Sequence, residues 1–139
     1  MNQYYIIGNP VNHSLSPIMY QAAFKELGID TQYKYDILQL KKEEIALFVN
    51  RMRNGFIQGA SVTIPFKEEI LSYADEFSTQ VQLMKAANTL VLKKRKIIAY
   101  NTDGIGCITS FKEAGINLKN KTVVLIGAGG AAKAIAVSL

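Results

Sequence analysis

The chain has no tryptophan, one cysteine (Cys107) and one histidine (His13). A single cysteine excludes an internal disulfide, and the expected place for Cys107 is that of a small buried apolar residue. One histidine and one distant cysteine make no metal-ligand set, so no metal is expected; His13 reads as a turn residue. No apolar run approaches the length that spans a bilayer, so no membrane association is expected. The start, Met1-Asn2-Gln3-Tyr4-Tyr5-Ile6-Ile7-Gly8, lacks a basic region followed by a long apolar core. It is expected to be a first strand rather than a signal peptide, and with the lone cysteine this fits a cytoplasmic setting. Internal repeats and low-complexity segments are also missing.

What is present is 139 residues, 49% hydrophobic and 19% charged, enough for one domain with a sizeable core. The net charge of +5 would suit an anionic ligand, or serve solubility alone. The only dense basic run, Lys93-Lys94-Arg95-Lys96, lies between two apolar strands. It reads as a solvated hairpin turn, and with no aromatic-rich basic surface beside it no nucleic-acid partner is expected.

Read along the chain, Tyr4–Gly8 is a strand ending in the turn signal Gly8-Asn9-Pro10. Ser16 suits an N-cap and Pro17 a first helical residue, for a helix through Leu27 that Gly28 ends. Gln32–Leu38 alternates, with Tyr33, Tyr35 and Ile37 on one side, as a second strand. Lys41–Arg53 is an amphipathic helix carrying Ile45, Phe48, Val49 and Met52. Gly59-Ala60-Ser61-Val62-Thr63-Ile64 reads as a third strand; Pro65 stops it and opens a helix that closes near Asp75. A short helix over Thr79–Lys85 follows, then strands Thr89–Leu92 and Ile97–Tyr100. Gly104–Ala114 is a helix stopped by Gly115; Thr122–Ile126 is an apolar strand, and helical residues run on to Leu139. This order predicts an α/β fold, a mostly parallel sheet flanked by helices. The expected division is a domain over 1–103, a connecting helix and linker over 104–118, and the first βα unit of a second, Rossmann-type domain over 119–139. One strand and one helix cannot bury their own apolar surface, so that unit is expected to be incomplete or to pack on something else.

Four places carry candidate chemistry. Gly127-Ala128-Gly129-Gly130-Ala131-Ala132 follows a strand and opens a helix, as a dinucleotide fingerprint requires. Gly127 would allow the tight turn, Gly129 the approach of a pyrophosphate, and Ala132 the close meeting of helix and strand. The plain alternative is a glycine turn before an ordinary helix. Ser14 and Ser16 precede a helix and could donate to a carboxylate or phosphate, or simply cap and turn. Thr63 and Lys67 stand at the carboxyl end of a strand, where ligands bind in open α/β sheets; alone they equally describe a strand-turn-helix with a solvated lysine. Asn88 precedes a strand and Asp103 follows one, where Asp103 would also serve as an N-cap. A Lys-Asp pair in a partly buried cleft can hold and move a proton.

Taken together, Asn12-His13-Ser14-Leu15-Ser16-Pro17, Ser61-Val62-Thr63-Ile64-Pro65-Phe66-Lys67, Ala87-Asn88-Thr89, Asn101-Thr102-Asp103-Gly104 and the glycine loop resemble the shikimate dehydrogenase family, in the family's order and over the whole chain. The resemblance implies reduction of 3-dehydroshikimate to shikimate with NADP as cofactor, in aromatic amino-acid (chorismate) biosynthesis. It implies that Ser14 and Ser16 hold the substrate carboxylate and that Thr63, Lys67, Asn88 and Asp103 bind the ring hydroxyls. It implies that Lys67, with Asp103, is catalytic and handles the proton. Gly127, Ala128, Gly129, Gly130 and Ala131 would approach the cofactor pyrophosphate. The implied partner is a small-molecule substrate, on a monomer or homodimer. Two positions depart from the pattern: the family usually has Asn where Ser61 stands, and often Arg where Lys133 stands. Members are roughly twice this length, the size of two domains, so this chain is expected to lack turnover of its own. Two alternatives stay open: a quinate/shikimate dehydrogenase using NAD or NADP, and a non-catalytic substrate-binding or assembly fragment whose apolar tail, Val123–Leu139, is covered by a partner.

Overall fold

β-Branched and aromatic residues cluster in the short runs read as strands, and in a computed structural model describing residues 1–139 these runs pair into one six-stranded sheet. The elements are β1 (Asn2–Gly8), α1 (Ser16–Glu26), β2 (Tyr33–Gln39), a 3₁₀ turn (Lys42–Glu44) leading into α2 (Ile45–Arg53), and β3 (Gly59–Val62). A 3₁₀ helix (Glu69–Tyr73) precedes β4 (Glu76–Phe77) and α3 (Thr79–Met84). Then come β5 (Thr89–Lys93), β6 (Lys96–Tyr100), α4 (Asp103–Glu113) and α5 (Gly130–Ser138). The strand order is β2-β1-β3-β5-β6-β4. β1 pairs parallel with β2 and β3, and β4 parallel with β6; β3–β5 and β5–β6 are antiparallel. The α/β class and the flanking helices are as expected. No helix is long and apolar enough to cross a membrane.

Both faces of the sheet centre are covered, which is why β1 buries two successive isoleucine side chains, Ile6 and Ile7. Ile7 joins the main core with Val62, Leu90 and Ile97, against Ile45, Phe48, Val49 and Met52 of α2. All four apolar positions predicted for that helix are buried. Ile6 points into a second cluster with Val11 and Tyr35, packed by Phe24 of α1. The middle of the basic run, Lys94-Arg95, is the two-residue connection of the β5–β6 hairpin, and Lys93 and Lys96 are the last pair of its ladder. Lys94 and Arg95 both have positive φ, 50° and 64°, the backbone sense that matches strand twist in such a turn.

Four expectations are corrected, and one short strand was not expected at all. Pro65 starts no α-helix: it lies in a turn with a cis Ile64–Pro65 bond. The residues after it form only the short 3₁₀ helix, because a few residues between two strands do not repay α-helix nucleation. Ser16 is not an N-cap; it is the first helical residue, and Leu15 stands at the cap with no capping side chain. Strand β4 has only two residues, too few to leave a sequence pattern. Thr122–Ile126 forms no strand: it has no neighbouring strand to supply ladder hydrogen bonds, and Val124 and Ile126 are 81% and 94% exposed. Cys107 is half-buried rather than buried, since Gly104 is the only fully buried residue of α4.

Asp75 ties the end of α2 to β6. Arg53 Nη1 donates to both its carboxylate oxygens at 2.8 Å, and Arg53 Nη2 donates to the Tyr73 carbonyl at 3.0 Å. The Ile97 amide donates to Asp75 Oδ2 at 2.8 Å. That amide foremost, with Arg53 and against an opposing effect of burial, holds the Asp75 carboxyl below its ordinary pKa. A carboxyl lowered in the folded state stabilises above its unfolded pKa, and that stability is lost as pH falls through the folded value. Asp75→Asn is therefore expected to cost about 0.5–1.5 kcal/mol at neutral pH and to flatten the acid-side fall in stability, both measured by urea unfolding across a pH series.

Candidate functional site

The Thr63–Phe66 turn is closed by the Phe66 amide donating to the Thr63 carbonyl at 3.0 Å. Phe66 is then buried in the main core, which fixes the chain at its neighbour Lys67. The Lys67 carbonyl accepts from the Ala87 amide at 2.7 Å, placing the segment before β5 alongside. Lys67 Nζ reaches Asp103 Oδ2 at 2.5 Å, with side-chain exposures of 15% and 24%. Asn88 Nδ2 donates to the other carboxylate oxygen at 2.8 Å and to Thr102 Oγ1 at 2.9 Å. Asn88 Oδ1 accepts from the Thr102 amide at 3.0 Å and from Thr89 Oγ1 at 2.8 Å. Lys67, Asn88 and Asp103, three of the residues singled out from sequence, thus form one hydrogen-bonded group. Asp103 is the first residue of α4, with Thr102 at the cap; its carboxylate caps nothing and is left for Lys67 and Asn88. Its charge at a helix start is itself favourable.

Asn101 is the residue whose part sequence reasoning missed. It is the only buried polar residue in the chain, 7% exposed. Its Nδ2 donates to the Ala86 carbonyl at 3.0 Å, and its Oδ1 accepts from the Asp103 amide at 2.9 Å. It therefore staples the segments before β5 and before α4, setting Asn88 and Asp103 side by side. Its one sequence signal was its place inside Asn101-Thr102-Asp103-Gly104, between a strand and a helix.

The two serines form a second group. Ser14 Oγ donates to Ser16 Oγ at 3.1 Å and accepts from the Ser16 amide at 3.2 Å, closing a small turn at the start of α1. Tyr35 Oη donates to Ser61 Oγ at 2.7 Å. Burial raises the Tyr35 phenol above its ordinary pKa, with a smaller push from Tyr20; the hydrogen bond with Ser61 partly offsets this. Ser61 thus has a direct partner, one the sequence did not reveal. Thr63 stands two residues beyond Ser61, at the end of β3, and its hydroxyl has no protein partner.

The glycine loop meets the first group. Gly127 has φ of 120°, which demands glycine. A Cβ on Gly130 would come to 3.0 Å from Lys67 Cβ and 3.2 Å from Ala86 Cβ, so glycine lets the start of α5 lie this close without displacing them. A groove of about 380 Å³ runs between Ile64–Glu68 and Gly129–Ala132. Ala132 meets no strand; Ala134 is the buried residue of α5, against Gly104 of α4. Lys133 Nζ pairs with Glu68 at 2.6 Å, neutralising the one acid on the groove's edge. An ammonium against a carboxylate, with an amide beside them, can hold adjacent hydroxyls and pass a proton.

Fold and site define an α/β-sheet domain whose polar cluster sits at strand ends, beside a glycine-rich helix start. The chain belongs to a particular family of such domains, the shikimate dehydrogenase substrate binding domain, whose family model matches residues 6–90. A shikimate dehydrogenase (NADP(+)) of Methanocaldococcus jannaschii is 42% identical over 134 residues, which are 96% of this chain and 47% of that protein. The crystal structure of shikimate dehydrogenase 1 from Peptoclostridium difficile matches 99% of this chain and 52% of its own at TM-score 0.92 and 34% identity. Shikimate 5-dehydrogenase from Thermus thermophilus, solved with NADP(H) and shikimate, matches 99% of this chain and 51% of its own at TM-score 0.90 and 33% identity. The chain spans about half the length of the curated relatives it matches.

Removing the Asn101 amide leaves the Ala86 carbonyl without its donor in a buried place. Asn101→Ala is expected to destabilise the fold by about 1–3 kcal/mol, measured by chemical unfolding. Backbone resonances of Asn88 and Asp103 should shift in the same variant.

Proposed function

We propose that the chain carries the substrate side of an NADP-dependent shikimate dehydrogenase, which reduces the ketone of 3-dehydroshikimate to the hydroxyl of shikimate. In this reading 1–103 is the substrate domain, 104–118 the connection, and 119–139 the beginning of the cofactor domain. The observation that carries it is the Lys67–Asp103–Asn88 group lying against Gly130 at the start of α5. That placement puts a proton donor, hydroxyl-binding groups and an anion-favouring helix start around one space.

Ser14 and Ser16 would donate to the substrate carboxylate. The free hydroxyl of Thr63, the Asn88 amide and the Asp103 carboxylate would bind ring hydroxyls. Lys67 would hold its ammonium against Asp103 and give a proton to the carbonyl oxygen as that oxygen gains charge; in the reverse direction it would take the proton back. Asp103 keeps that ammonium in place whichever way the proton moves. The residues present fit the cofactor. Gly130 admits the helix start to the lysine, Gly127 makes the turn, Lys133 cancels Glu68, and Gly127, Ala128, Gly129, Gly130 and Ala131 would face the pyrophosphate. NADPH, when bound, supplies the hydride. The relatives' NADP(+) names and the Thermus complex with NADP(H) and shikimate support the choice of cofactor and ligand.

Titration of this chain with shikimate, followed by calorimetry or NMR, tests the reading. The wild-type chain is expected to bind. Lys67→Ala is expected to weaken binding about tenfold or more, because it removes a charged hydrogen bond and leaves Asp103 without its counter-charge. A chain that binds no shikimate, or a Lys67→Ala variant that binds as well as wild type, would overturn it.

A further inference from the structure

Tyr35 sits on β2, separated from β3 by the whole width of β1; the register pairs Tyr35 with Tyr4, and Tyr4 with Gly59. Two strand spacings are about 10 Å, so only a long, rigid side chain lying flat on the sheet can join β2 to β3. The Tyr35 ring is 3% exposed and stacks on Tyr20 of α1 with centroids 4.1 Å apart and planes 13° apart. Gly59 makes room for the neighbouring Tyr4 ring: a Cβ there would meet the Leu90 carbonyl at 2.9 Å and the Tyr4 ring at 3.2 Å. Held in this way, the phenol spends its one proton on Ser61 Oγ at 2.7 Å. Ser61 therefore accepts from Tyr35 and keeps its own proton to donate. Ser61 lies on β3 two residues before Thr63, on the same face of the strand. Tyr20 stands one turn beyond Ser16 on α1, so the stacked rings bring the start of that helix, with Ser14 and Ser16, to the same face of the sheet.

We propose that Tyr35 is a positioning residue for the anion-binding part of the site: through Ser61 it aims a serine hydroxyl proton at the carboxylate of the bound ring acid. This rests on the reading of the site given above and adds a residue to it. A serine is too short to reach far from β3 by itself, and the tyrosine hydroxyl fixes the direction in which it donates. Tyr35 touches no reacting atom; it acts through Ser61. A tyrosine that merely filled the core would affect stability alone, or all ligands alike.

The test compares shikimate with its methyl ester, which keeps the ring hydroxyls and lacks the anion, by NMR titration of this chain. Wild type is expected to prefer shikimate. Tyr35→Phe keeps the ring and its stacking, so the chain should fold; its affinity for shikimate is expected to fall roughly three- to tenfold, with affinity for the ester unchanged. The double variant Tyr35→Phe/Ser61→Asn is expected to recover the preference, since the longer amide fills the space left by the hydroxyl and donates without help. Equal affinities in wild type and Tyr35→Phe, or an equal loss for both ligands, overturns the proposal. Lys67→Ala in parallel separates the two readings. If it weakens shikimate binding while Tyr35→Phe does not, only the role of Tyr35 falls; if wild type binds neither ligand, the functional reading falls and the role of Tyr35 with it.

Discussion

The ion pair between Lys67 and Asp103 is the contact on which the rest of the arrangement depends. Its partners are 36 residues apart and come from two different strand-to-helix junctions. Each is fixed by backbone hydrogen bonds before the charges meet: Lys67 by its carbonyl to Ala87, Asp103 by its amide to Asn101. The side chains then need little further ordering, which removes much of the entropy cost that makes exposed ion pairs weak. Asn88 takes the second carboxylate oxygen, so both oxygens of Asp103 are engaged by protein groups. A ligand with adjacent hydroxyls would exchange hydrogen bonds with this group without having to create a polar site in an apolar one.

The antiparallel position of β5 makes this junction possible. β3 runs into the Thr63–Phe66 turn, while β5 starts beside the end of β3 and runs the other way, so Asn88 at the start of β5 lies next to Val62; the Val62 amide donates to the Asn88 carbonyl at 2.7 Å. β6 returns antiparallel and delivers Asn101, Thr102 and Asp103 to the same edge. A wholly parallel sheet would have put the start of β5 at the opposite end. The two antiparallel pairings are thus the feature of the fold that gathers residues 67, 88 and 103. The same edge receives the glycine-rich start of α5, which packs through Gly104 and Ala134.

How much of this was legible in the sequence varies from element to element. α2 was legible because four apolar residues at helical spacing face one core. The β5–β6 hairpin was legible because two apolar runs flank a charged turn. The segment after Pro65 was not, because Lys-Glu-Glu-Ile-Leu has ordinary helix propensity and only the short distance to β4 selects the tighter 3₁₀ form. Nor was the fate of Thr122–Ile126: strand propensity is a statement about pairing, and no partner strand is there. Among the site residues, Lys67, Asn88 and Asp103 were named from their places at strand ends. The parts taken by Asn101 and Tyr35 were not, since one is a buried staple and the other reads as an ordinary aromatic on the inner face of β2.

The sequence by itself determined the α/β class, most of the strands and helices, the chemistry available at each strand end, and family membership. These follow from local periodicity, turn residues and short ordered motifs, which are properties of neighbours along the chain. Tertiary structure alone decided which of those groups touch. It brought Lys67 to Asp103, set Gly130 against Lys67, spent the Asp103 carboxylate on the ion pair instead of a helix cap, and carried the Tyr35 hydroxyl across β1 to Ser61. The reason is physical. A side chain's partner depends on strand order, register and the direction of each pairing, and these are set by how the whole sheet buries its two faces, not by any stretch of residues read alone.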